Sequence, residues 1–187
     1  MSITPALGSV SALYRKLERE SYRAFHSNSA IHKADHFFNF CVTAHAMRDY
    51  CLEYLCKLTK SDKQPFHDAW NAVPSLVAAM EIANSAKHFV LRDRNTKSVK
   101  TSATRAVRAK RSTIINVYSN NRGDYKFISR ERPDVSVTLS DGNVLELYQF
   151  TDAVMKYWRS YLLSLGIKLR RQPHAQLSGK ISYQVAE

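Results

Sequence analysis

Two groups of side chains in this 187-residue chain have the types and spacing for proton transfer. His45 and Asp49 stand four apart in the run HFFNFCVTAHAMRDY (His36 to Tyr50). A helix stacks such a pair one turn apart, where a carboxylate can orient an imidazole. Asn84, Lys87 and His88 share a second run, VAAMEIANSAKHFVL (Val77 to Leu91). They supply an amide, a cation that could stabilise developing negative charge, and a ring that titrates near neutral pH. His88 is the best candidate for general acid or base.

At about 100° per residue, His45 and Asp49 are expected near the centre of an inward stripe of Phe38, Cys41, Val42, Leu52 and Cys56. Arg48 is expected at its edge. The stripe Leu76, Val77, Met80 and Leu91 likewise takes in Asn84, Lys87 and His88, with Glu81 at its border. Two readings of these inward polar groups stay open. They are mutually satisfied hydrogen-bonding pairs that fix helix register, or they line a cleft facing a ligand or a second copy.

Other chemistries are poorly served. His32, Asp35 and His36 have a metal-like spacing, but His32 and His36 fall on the face opposite the stripe, so a solvated polar face is expected and no metal. Cys41, Cys51 and Cys56 form no Cys-x-x-Cys pair and no disulfide framework, which fits a reducing cytoplasm. The five glycines are too scattered for a phosphate-cradling loop, so no nucleotide cofactor is expected. No stretch approaches the roughly 18 uninterrupted apolar residues that a membrane span needs, and no membrane partner is expected.

The net charge of +12 is unevenly spread. The first 91 residues are almost balanced, whereas the segment from Arg92 to Arg132 holds most of the excess. Its cations Arg92, Arg94, Lys97, Lys100, Arg105, Arg108, Lys110 and Arg111, continued by Arg122 and Lys126, could neutralise the phosphates of a nucleic acid. A solvated loop that keeps the chain soluble is the plainer reading. Tyr118, Tyr125 and Phe127 alternate with Arg122, Lys126, Arg130 and Arg132, as bases stacking on one sheet face would require, or as ordinary strand residues would show.

The elements that must position these groups are mainly helical. Apolar spacing of three to four predicts a helix from Leu7 to Phe25, a long one from His32 to Leu58, one capped by Ser61 or Asp62, and one from Ser75 to Leu91 after Pro74. β-branched Ser112 to Ser119, alternation at Val135, Val137 and Leu139, and the Asp141-Gly142 turn signal predict a small antiparallel insert. The expected fold is a mainly α helical bundle with this insert before the last long helix. Its parts are a bundle core at 1–91, a basic linker at 92–111, the β insert at 112–150, a closing helix at 151–166 capped by Gly166, and a basic tail at 167–187.

The pattern His-x-x-x-Asp-aromatic (His45 to Tyr50), then Asn-x-x-Lys-His (Asn84 to His88), then VTLSDGNVLELYQFTDAVMKYWRSYL (Val137 to Leu162), resembles uncharacterised bacterial and phage proteins related to the HEPN superfamily. That resemblance implies a small helical bundle of the kind used in toxins, phage defence and RNA cutting, often as a homodimer. Its catalytic members place an Arg, then four to six residues, then a His near the end of a bundle helix. Here His88 matches the histidine and Asn84 a polar neighbour, while Val77 to Lys87 contains no arginine, leaving Arg48 or Lys87 to take its place. The expectation is therefore an RNA-directed protein, with RNA ahead of DNA: a metal-independent endoribonuclease using His88, His45, Asp49, Asn84, Lys87 and Arg48. The alternative is a non-catalytic homodimeric scaffold that docks on nucleic acid or an acidic protein through its basic segment.

Overall fold

A computed structural model describes residues 7–85, 104–119 and 124–169. Within them the chain runs α1 (Val10–His26), α2 (Ala30–Tyr54), α3 (Lys60–Asn71), α4 (Pro74–Ser85), β1 (Thr104–Ser119), β2 (Tyr125–Leu139), β3 (Val144–Glu146) and α5 (Leu147–Ser164). Hydroxyls open three of the helices: Ser9, Ser29 and Thr59 accept from the backbone N–H of Ala12, His32 and Asp62. The cap of α3 is thus Thr59 and not Ser61 or Asp62. Pro74 occupies the first position of α4, where no intrahelical N–H is needed. Among the described residues, no helix is long and apolar enough to cross a membrane.

The core joins α1, α2, α4, α5 and the Trp70 end of α3 to the base of the sheet. Leu17, Phe40, Met47, Trp70, Val137, Phe150, Val154, Trp158 and Leu162 are sealed within it. In α5 the buried positions Leu147, Phe150, Thr151, Val154, Trp158 and Leu162 follow helical spacing from the first residue, so the closing helix starts at Leu147 and not at Thr151. Its end matches the expectation: Gly166 has φ +73°, and Ile167 N–H donates to Leu162 O at 3.0 Å. The same wrap ends α2 two residues before Cys56, with Lys57 N–H donating to Leu52 O at 2.9 Å and Cys56 itself at φ +53°. Cys56 is therefore an exposed turn residue and not part of the buried stripe. A side chain in this left-handed conformation costs about 1–2 kcal/mol, so Cys56→Gly is expected to stabilise the chain by up to about 1 kcal/mol in denaturant unfolding.

The sheet is antiparallel in the order β1-β2-β3. Asp141-Gly142 makes the predicted turn, with Gly142 at φ +87° and Leu139 N–H donating to Asn143 O at 2.8 Å. The insert is longer than the sequence implied, since Thr104 to Arg111, read as part of the linker, is strand paired with Leu139 to Pro133. TRAVRAKR has little intrinsic strand character; the apolar Val135, Val137 and Leu139 of β2 recruit it as a partner. Thr104 N–H donates to the buried Glu81 Oε2 at 2.7 Å, tying the start of β1 to α4.

Two cations meet at the C-terminus of α1, Lys33 tying α2 to it and Arg132 tying the sheet to it. Lys33, fully buried, donates to Ala24 O at 2.6 Å and Phe25 O at 3.0 Å, and Arg132 donates to Phe25 O at 2.7 Å while lying 4.0 Å over the Phe25 ring. Both satisfy carbonyls that the helix end leaves open, at the negative pole of its dipole. Burial first, then Arg132, pulls Lys33 down from 10.5 to about 8, with Asp134 opposing. Below that value Lys33 is charged in both states and the burial penalty is fully present. Between about 8 and 10.5 the unfolded chain binds more protons than the folded one, so stability rises with pH. Unfolding midpoints recorded from pH 8 to 10 should climb for the wild type and lose that increment in Lys33→Met.

Candidate nucleic-acid interface

The described helical candidates His45, Arg48, Asp49 and Asn84 take different environments. On α2 the buried face runs through Phe37, Phe40, Cys41, Ala44, Met47, Arg48, Cys51 and Leu52. Asp49 is exposed, Val42 is 39% exposed, His45 is half-buried and Arg48 is 4% exposed. The stripe is thus displaced by about one residue from the expected one, turning Asp49 outward and Arg48 inward. The physical reason is that α2 packs on α1, α4 and β2 together, so its apolar surface is broad and its centre is set by those neighbours. Asn84 is half-buried near the end of α4. Lys87 and His88 lie outside the described residues. Cys41 and Cys51 are buried, and burial pushes both thiols up, Cys51 to about 12, which suits packing and not nucleophilic attack. His36 pairs with the buried Glu20 at 3.0 Å, and among the described residues no group of three or more His, Cys, Asp or Glu could hold a metal.

The cationic candidates are organised by the β1-β2 ribbon. Of them, Arg92, Arg94, Lys97, Lys100 and Arg122 lie outside the described residues, and of Arg105 only the backbone is described. Facing positions in the register have matching parity, as in Ser112↔Arg132, Ile114↔Arg130 and Tyr118↔Lys126, so all even-numbered residues share one face. That face carries Arg108, Lys110, Lys126, Arg130 and Arg132 against two carboxylates, Asp134 and, on β3 opposite Ser136, Glu146. Asp134 is buried and accepts from the Ser112 hydroxyl and the Val135 N–H. Lys110 is paired with Glu146, and Arg132 is committed to α1. Arg108, Lys126 and Arg130 stand exposed.

The odd-numbered face is different. Ile115, Val117, Tyr125 and Phe127 cluster toward its far end, with Tyr125 66% and Phe127 64% exposed, and its Arg111 is paired with Glu131 at 3.1 Å. Tyr125 and Phe127 alternate with Lys126 along β2, and this alternation puts them on the face opposite Arg108, Lys126 and Arg130, whereas Tyr118 occupies an even-numbered position across from Lys126. Tyr125 and Phe127 therefore do not share a sheet face with the exposed cations. Arg130, which the sequence pattern places only in the alternation with aromatics, joins Arg108 and Lys126 by its even parity once the ribbon is paired.

Along the ribbon, Arg108 and Lys126 are ten pairing levels apart, about 33 Å, close to the roughly 34–36 Å of one turn of a duplex. A two-stranded ribbon is also of a width that the major groove of B-form DNA admits. The even face can neutralise phosphates over that length without reading bases. Comparison of the chain with protein-family models, with curated proteins and with solved structures returns no match.

Proposed function

We propose that this chain is a non-catalytic nucleic-acid-binding protein, a HEPN-like helical bundle acting as a cytoplasmic homodimer, whose β1-β2 ribbon lays its even-numbered face along phosphates. One observation carries the reading: Arg108, Lys126 and Arg130 are exposed on one face of a long ribbon, apart from the apolar face and from the ion pairs that occupy the other cations. RNA stands ahead of DNA on the strength of the HEPN resemblance. The scaffold alternative is preferred to the ribonuclease because the expected His45 and Asp49 pair does not point inward together and Arg48 is packed away from solvent.

The test incubates the chain with a mixed RNA pool in excess chelator and follows binding and strand integrity together. Bound, intact RNA is the expected result. Chelator-resistant cleavage that His88→Ala abolishes would replace this reading with the metal-independent ribonuclease, and absence of binding would remove both.

A further inference from the structure

Among the described residues, two cations are almost completely buried, and they are treated differently. Lys33 meets two helix-end carbonyls. Arg48 donates through Nη1 to Asn71 Oδ1 at 2.8 Å, and its buried Nη2 has no hydrogen-bond partner. No carboxylate pairs with it; the neighbouring Asp49 is turned to solvent. Its guanidinium lies 5.9 Å over the Trp70 ring, and Trp70, Trp158 and Tyr161 form a triangle with ring centroids 5.7–5.9 Å apart. The indole N–H of Trp70, that of Trp158 and the Tyr161 hydroxyl are likewise buried without partners.

Such a set is lopsided. It offers donors from four side chains, and the one amide acceptor beside it, Asn71 Oδ1, is already engaged by Arg48. Asp49, turned to solvent, acts on Arg48 only through space, so a buried guanidinium with no ion-pair partner among the described residues, together with orphaned donors, is unfavourable unless a negatively charged acceptor joins it. Burial pushes the Tyr161 hydroxyl up to about 12, so it keeps its proton and remains a donor. We propose that Arg48, Trp70, Trp158 and Tyr161 form a binding site for a small oxyanion, a carboxylate or a phosphate. The site is separate from the ribbon, so its failure leaves the nucleic-acid reading standing.

Trp70 and Trp158 are the only tryptophans of the chain, so fluorescence excited selectively at tryptophan, beyond the absorption of the ten tyrosines, reports on this cluster. The full chain is titrated with sodium acetate and with inorganic phosphate against sodium chloride of equal ionic strength, following fluorescence and thermal unfolding. The wild type should show a saturable fluorescence change with acetate, phosphate or both, and the responding anion names the class. At a hundredfold excess over Kd the unfolding midpoint should rise by about 5–10 °C. Arg48→Met, which keeps the packing volume, should lose both responses. Arg48→Lys, which keeps the charge but not the forked donor, should weaken binding at least about tenfold. A wild type that responds no more than to chloride overturns the proposal, as does an Arg48→Met chain that responds like the wild type.

Discussion

Replacing Arg108, Lys126 and Arg130 together by Gln is expected to remove most of the salt-sensitive affinity for nucleic acid, while Arg111→Gln on the opposite face leaves it nearly unchanged. Each neutralised phosphate contributes about 0.7 (single strand) to 0.9 (duplex) to the slope of log K against log salt. Losing three such contacts removes about 2.1–2.7 from that slope, so the share of affinity that disappears between 50 and 200 mM salt shrinks by about 20- to 40-fold. Arg111 is a stringent control because it sits on the same strand within the same ribbon, differing in parity and in its pairing with Glu131. Filter or fluorescence-anisotropy titrations at the two salt concentrations measure both variants. Equal losses from the two faces would show that the ribbon acts as an unoriented cloud of charge.

The largest stability effect is expected at Trp158. Its ring is fully buried and touches Trp70, Tyr157 and Tyr161, with centroids 5.6–5.8 Å away. It also anchors α5, which closes the bundle after the sheet. Trp158→Ala removes that burial and leaves a cavity that the packed aromatics cannot fill, at a cost of about 3–5 kcal/mol. Typical domains have only about 5–15 kcal/mol in total, so the unfolding midpoint in urea should fall steeply. Phe127→Ser deletes a comparably large ring that is 64% exposed, and its midpoint should stay within about 0.5 kcal/mol of the wild type.

How far the sequence reveals these features depends on whether neighbours decide them. The amphipathic α1, the Asp141-Gly142 turn, the alternating Val135, Val137 and Leu139, and the Gly166 cap are all local, and each is found where the pattern places it. Arg48 and Asp49 show the opposite case. They are adjacent, and a helix apolar around much of its circumference gives no internal signal for which one turns inward; contacts with α1, α4 and β2 decide. β1 is the second failure, since Thr104 to Arg111 is charge-rich and becomes strand only through its partner. Parity along Arg108, Lys110, Lys126, Arg130 and Arg132 is visible in the residue numbers, but it acquires meaning only when the two strands are paired. The helix-end role of Lys33 and Arg132 was equally hidden, because carbonyl groups at the end of α1 leave no trace in side-chain sequence.

The central claim, an oriented phosphate-binding face, is tested most directly by the salt dependence of RNA binding by the wild-type chain. Plotted as log K against log salt, it should fall linearly with a slope of at least about 2 in magnitude, set by Arg108, Lys126 and Arg130. A flat plot, or RNA binding that is undetectable at low salt, would contradict the account.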